Sequence, residues 1–378
     1  MNALDKFKKV ALKHLIMSDT SYLDVIFGTI IANKLDSKPV WLYLVGAPSS
    51  GKTEILQALT GDKIFQLDKL TNKALISGWE ESGGQKKENS LLPFLDGKVM
   101  IIKDFTAMIH ERRENLLDVV GQLRAAYDGY FCKVFATGQR KGFYSKFGII
   151  AGVTNVIDKH RGLLAELGER FLTYRCPEVS EEESTQRCWK VSNGTSTTQQ
   201  ETELRKAASA VIDLPLHKVI LSDSFRKKII ELAQYVAIAR CEVSRDQFSK
   251  EPEIPMPEIA TRLTRQLCDL AVGVAVVRGQ RYVTKDIQRL IQKTALDSLT
   301  LKRLLLLKIL YNVFPAGLSS KQIAIKMRYS EGIIRRWCED LHILDLIIRE
   351  TISNGKTPIG DKLIWKIRYK TILKRIWG

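Results

Sequence analysis

Residues 40–53 restrict the possible fold of this chain more than any other stretch. Val40-Trp-Leu-Tyr-Leu-Val45 is a short apolar, β-prone run without polar alternation. That is the pattern of a strand buried on both faces, as in parallel sheets covered by helices. The run leads directly into Gly46-Ala-Pro-Ser-Ser-Gly51-Lys52-Thr53 and then into Glu54-Ile-Leu-Gln-Ala-Leu59, a helix-forming stretch that stops at Thr60-Gly61. Strand, glycine-flanked loop and helix in this order make a P-loop. Its glycines let backbone N–H groups curl around phosphate oxygens, Lys52 offsets their charge, and Thr53 offers a hydroxyl to Mg²⁺. Gly46, Ser50, Gly51, Lys52 and Thr53 are the expected nucleotide-binding residues, with the following helix dipole adding to the attraction.

A second apolar strand is expected at Lys98-Val-Met-Ile-Ile-Lys103-Asp104-Phe105, ending in a carboxylate as a Walker B strand does. Asp104 would reach Mg²⁺ or the attacking water. Only one acid stands here where a pair is usual, so either Asp104 polarises the water with Lys103 at the metal-ligand position, or Asp104 binds Mg²⁺ and the strand holds no base. A third strand, Phe147-Gly-Ile-Ile-Ala-Gly-Val153, ends in Thr154-Asn155. Asn155 would orient water by hydrogen bonding without adding a charge.

The 378 residues are 45% apolar, enough for two or three domains with real cores. Cys132, Cys176, Cys188, Cys241, Cys268 and Cys338 form no C-x-x-C pair, and the five histidines have no metal spacing. No apolar run approaches the roughly 20 residues that span a bilayer. No membrane partner and a cytoplasmic location are therefore expected. The net charge is +17, and residues 301–378 alone hold 16 lysines and arginines against 6 acids. That asymmetry points to a polyanion, most simply nucleic acid.

P-loop, strand ending in Asp104, strand ending in Asn155, then Leu167-Gly-Glu-Arg170-Phe-Leu172 is an order that resembles an AAA+ ATPase. Thr264-Arg265-Gln-Leu267, followed by a helix from Val283-Thr-Lys-Asp286, is similar to the helical lid of minichromosome maintenance helicases. The resemblance covers roughly residues 20 to 300. It implies an α/β P-loop domain with a parallel sheet flanked by helices, a helical lid, ATP and Mg²⁺ as cofactors, and Asn155 as sensor 1. It also implies Arg265 as sensor 2, with Arg262 a near miss, and Arg170 as a finger serving the neighbouring subunit's γ-phosphate. Arg175 is a second finger candidate. A shared site requires a homo-oligomer, a hexamer in this family. Neither the oligonucleotide-binding domain nor the zinc ribbon of that family precedes the P-loop, so the chain looks more like the MCM-like or superfamily 3-like replication ATPases of mobile elements and phages.

Gly129-Tyr-Phe-Cys-Lys-Val-Phe135 and Phe143-Tyr-Ser-Lys-Phe147 flank a basic turn, which reads as a hairpin. In the family's position it would enter the pore, with Arg140 and Lys141 on the phosphates of single-stranded DNA. The polar stretch Val191–Thr202 reads as a flexible insertion without chemistry. From Arg303 the chain reads helix, turn, helix, turn, helix, then two strands about a tip at Lys356, the shape of a winged helix. Arg335, Arg336 and Lys356 would face duplex DNA, while Ile333, Ile334 and Trp337 build the core. The segments are thus 1–180 for the AAA+ core, 181–300 for the lid and 301–378 for the winged helix. The expected function is a DNA-dependent ATPase, a ring-forming helicase or replication initiator. The alternative is an ATP-dependent DNA-binding switch with little hydrolysis.

Overall fold

The computed structural model describes residues 1–48, 50–71, 74–77, 89–135, 138–160, 169–194, 197–245, 254–352 and 362–368. The chain divides into two compact units, Met1–Ser222 with Arg265–Thr294, and Asp223–Thr264 with Ala295–Gly378. Among the described residues no helix is long and apolar enough to cross a membrane.

The first unit is α/β. It opens with α1 (Ala3–His14) and α2 (Ser21–Ala32), then β1 (Trp41–Val45), α3 (Lys52–Ala58) and β2 (Ile64–Leu67). There follow α4 (Leu92–Leu95), β3 (Val99–Ile102), α5 (Thr106–Ile109), α6 (Arg113–Tyr127), β4 (Tyr130–Val134), β5 (Arg140–Tyr144), β6 (Gly148–Val153), β7 (Phe171–Arg175), α7 (Glu181–Ser192) and α8 (Thr197–Ile212). A five-stranded parallel sheet runs β2-β3-β6-β1-β7. Every residue of β1, β3, β6 and β7 is buried. The unbroken apolar runs therefore reflect cover on both faces. Trp41, Tyr43 and Val45 share one face with Val119, Leu123 and Tyr127 of α6, because alternate strand residues point the same way. Trp41 places its ring edge against Tyr127 and donates its indole N–H to the Phe147 carbonyl at 2.8 Å. On the other face α2 packs on β1 and β6, and α3 on β6.

The polar stretch Val191–Thr202 is not a loose insertion. Val191 and Ser192 end α7, and Thr197–Thr202 begin α8. Leu204, Ala208 and Val211 on α8 are buried as it packs against α1, α2 and α3. The polar residues of its first turns lie on the solvent side, so low apolar content there marks an exposed helix face.

The second unit contains the helices Asp223–Ala239, Leu301–Asn312, Ser320–Met327 and Glu331–Ile343, then β8 (Ile347–Ile352) paired antiparallel with β9 (Lys362–Ile367). Ser319 makes a capping box with Gln322, which satisfies two otherwise orphaned helix N–H donors. Ile334, Cys338 and Leu341 are buried on one face of Glu331–Ile343. Ile333 is 44% exposed, which corrects the expectation that it builds the core. It lies one residue, about 100° of helix rotation, from Ile334. Trp337 is half-buried, its ring edge-on to Tyr329 at 4.9 Å.

Candidate functional site

Parallel pairing brings the strand ends together. Val45 is level with Val153 on one side and Arg175 on the other, and Ile102 is level with Ala151. Backbone bonds continue past the strands: Gly46 N–H to the Val153 carbonyl (3.1 Å), Cys176 N–H to Val45 (2.7 Å) and Phe105 N–H to Gly152 (2.7 Å). The P-loop, Asp104 and Asn155, far apart in sequence, thus line one edge of the sheet. This is where open parallel α/β sheets bind ligands.

Within the P-loop, Ser49 lies outside the described residues. A Cβ on Gly46 would stand 3.2 Å from Cys176 Cβ and 3.3 Å from Ser50 Oγ, so the chain is packed tightly there. Gly51 has φ +85°, a left-handed conformation natural to glycine. Lys52 is 8% exposed, and its ammonium donates to the Gly46 carbonyl (2.9 Å), the Ala47 carbonyl (2.6 Å) and Ser50 Oγ (2.9 Å). Burial lowers its pKa, opposed by Cys176, Asp104 and Glu54, which favour the charged form. Thr53 is exposed at the start of α3.

Asp104 is exposed, and its Oδ1 accepts the Thr106 N–H at 2.9 Å. Lys103 turns to Asp68, just past β2, at 2.6 Å. Thr106 Oγ1 accepts the Thr154 N–H at 3.1 Å, tying the end of β3 to the end of β6. Asn155 is exposed and opens a short 3₁₀ turn, Asn155–Lys159. A Cβ on Gly152 would fall 2.6 Å from the Lys103 carbonyl, so glycine lets these strand ends approach.

The arginines divide between two edges. Arg170 immediately precedes β7, whose first residue pairs with Trp41 at the start of β1. It therefore lies at the edge opposite the P-loop. Its guanidinium sits over the Tyr127 ring at 5.7 Å, and the residue is buried. Gln266 Nε2 donates to the Arg170 carbonyl at 2.6 Å, which brings its exposed neighbour Arg265 to the same edge. Asp269, one turn on, accepts from Ser37 Oγ at 2.7 Å. Burial raises the Asp269 carboxyl, opposed by the Ser37 hydrogen bond, Arg265 and Lys146. Arg175 instead ends β7 beside the P-loop, with its Nη2 on Asp158 Oδ1 at 2.7 Å. Arg262 is paired with Glu258 at 3.6 Å.

β4 and β5 form a two-stranded hairpin. Arg140 and Lys141 are consecutive, so they point to opposite faces and do not act as one pair. Arg335 and Arg336 are exposed on Glu331–Ile343, Arg335 with Glu331 at 3.7 Å. Lys356 lies outside the described residues.

Cys176, Thr106, Thr154 and Asp158 escaped the sequence reading. Thr154 and Cys176 directly follow β6 and β7, so a search of those positions would have found them; Thr106 opens α5 beyond the end of β3, and nothing in the sequence singles out Asp158. The Thr53 hydroxyl and the Asp104 carboxylate, both exposed, are oxygen groups of the kind that suit Mg²⁺ in company with phosphate and water. Among the described residues no cluster of three or more His, Cys, Asp or Glu could hold a metal alone. Comparison with protein-family models found no match, and comparison with curated proteins found none either.

Proposed function

We propose that this chain is a DNA-dependent ATPase of the AAA+ kind, acting as a ring-forming helicase or replication initiator of a mobile element. The observation that carries the reading is the register that sets the ends of β1, β3 and β6 side by side, with Lys52, Asp104 and Asn155 along one edge. The tight packing at Gly46 and the ammonium held inside the loop fit a phosphate cradle. An arriving phosphate would offer Lys52 charged acceptors in place of two carbonyls and a hydroxyl, and charge-assisted hydrogen bonds are the stronger kind.

Each residue then has a task. Lys52 and the loop N–H groups hold the outer phosphates. Mg²⁺, held by Thr53 and Asp104 when bound, would draw charge from the phosphates. Asn155 would orient the attacking water by hydrogen bonding. Arg265, exposed at the edge away from its own P-loop, would serve a neighbouring subunit's nucleotide, which favours a homo-oligomer, a hexameric ring in our reading; Arg170 at the same edge is buried against Tyr127 and would hold that edge rather than reach across it. The helix Thr261–Val277 would belong to the lid. The helices Leu301–Asn312, Ser320–Met327 and Glu331–Ile343 with β8 and β9 would make a winged helix, placing Arg335 and Arg336 on duplex DNA, while single-stranded DNA passes the hairpin. We place the protein in the cytoplasm.

One observation favours a second reading, an ATP-dependent DNA-binding switch. Lys103, the residue before Asp104, is held by Asp68, so that position offers a cation where a second acid would be needed. The deciding measurement is ATP turnover by wild type, Lys52→Ala and Asp104→Ala, with and without single-stranded DNA. DNA-stimulated turnover that falls about 100-fold or more in both variants supports the motor. Tight ATP binding without turnover supports the switch. Failure of wild type to bind ATP overturns both.

A further inference from the structure

The β4–β5 hairpin has one face against the body of its unit and one face in solvent. Phe131 and Phe143 lie opposite each other and pack against the core, with Lys133 opposite Lys141 on the same face. The other face presents Tyr130 opposite Tyr144, Cys132 opposite Gly142, and Val134 opposite Arg140. Tyr144 is 82% exposed and Val134 64%. The two tyrosine rings sit 4.6 Å apart, tilted by 40°. A Cβ on Gly142 would come 2.5 Å from Tyr130 Oη, so the glycine is what lets the Tyr130 ring lie down across the strand. Arg140 is held on this face by Nε donating to Cys132 Sγ at 3.2 Å.

An exposed aromatic pair beside a fixed guanidinium is costly to leave in water without a purpose, and its surroundings say what would cover it. Arg140 is the cation on this face, Lys133 and Lys141 flank it from the other face of the same hairpin, and residues 129–147 contain no acid. Such a surface suits a polyanion that also presents flat apolar faces. Single-stranded nucleic acid does so, because its bases are unpaired and each has a π-face for an aromatic side chain. Duplex DNA hides those faces in its stack, and an acidic peptide lacks them.

We propose that this face is a base-stacking platform for single-stranded DNA, with Tyr144 as the outer ring, Tyr130 beneath it and Arg140 on the adjoining phosphate. The inference rests on the DNA reading above and deepens it: affinity at this hairpin comes from bases as well as from charge.

The test is fluorescence anisotropy of the full chain with two labelled probes of equal length, oligothymidylate and an abasic deoxyribose-phosphate strand. Wild type is expected to bind the thymidylate about tenfold or more tightly than the abasic strand. Tyr144→Ala should abolish that preference, Tyr144→Phe should keep it, and Arg140→Gln should weaken both probes alike. Tyr144 is so exposed that its truncation leaves the core untouched. Equal binding of both probes by wild type overturns the platform and leaves the DNA reading standing. Binding of neither overturns both. A Tyr144-dependent preference for oligouridylate over its deoxy counterpart overturns the choice of DNA.

Discussion

A Cβ built on Gly273 would stand 2.0 Å from the Gly28 carbonyl oxygen, so α2 and the helix Thr261–Val277 meet backbone to backbone. Alanine favours a helix over glycine by about 1 kcal/mol, but here the clash is with backbone that no rotamer change relieves. Gly273→Ala is expected to lose about 2–3 kcal/mol. In Gly121→Ala, on α6 with nothing within 4 Å of the new methyl, propensity acts alone and stability should rise by up to about 1 kcal/mol. Urea unfolding of both variants reads the difference in sign.

Asp24 is fully buried and holds two cations, Lys8 at 2.5 Å and Arg278 at 2.6 Å. It ties α1 and α2 to the end of Thr261–Val277. Removing one partner from a buried ionic group leaves the others uncompensated, so Asp24→Ala should cost about 3–5 kcal/mol. Truncating Lys8, which is partly exposed, should cost less. Thermal unfolding of the two variants ranks them.

Hydrogen bonding from Arg140 is the main cause holding the Cys132 thiol below the usual thiol range. Thiolate is the reactive form, and a lowered pKa means more of it at a given pH. Alkylation of Cys132 should therefore persist to lower pH than that of an ordinary thiol, and Arg140→Gln should move its pH profile upward. Cys338, pushed up to about 12 chiefly by burial, should stay unlabelled while the protein is folded. Peptide-resolved mass spectrometry after iodoacetamide treatment follows both sites in one sample.

Arg265 is exposed at the edge away from the P-loop of its own chain. If it serves a neighbour, Arg265→Ala alone should bind ATP like wild type and turn it over slowly. Mixing it with Lys52→Ala should restore turnover, since mixed rings pair an intact P-loop with an intact arginine. Unchanged rates on mixing would show that the arginine acts within its own chain or not at all.

The P-loop, the two strands that end at Asp104 and Asn155, and the β4–β5 hairpin were legible because each is a local pattern. What the sequence hid was longer in range. The helical start of α8 was masked by polar residues on its solvent side, and the pairing of Lys103 with Asp68 joins side chains beyond two different strands. Arg140 and Lys141 read as one basic pair in a turn, but β5 begins at Arg140, and in a strand consecutive side chains alternate between faces.

By itself, the sequence determined that an apolar strand runs into a lysine-bearing glycine loop, because burial on both faces demands unbroken apolar residues and a left-handed turn such as that at Gly51 favours glycine. Only the tertiary structure decided which edge each charged residue occupies. β7 is five residues long, so Arg170 before it and Arg175 at its end stand about 16 Å apart on opposite sides of the sheet. Strand direction and pairing, which arise from contacts between distant segments, set that choice.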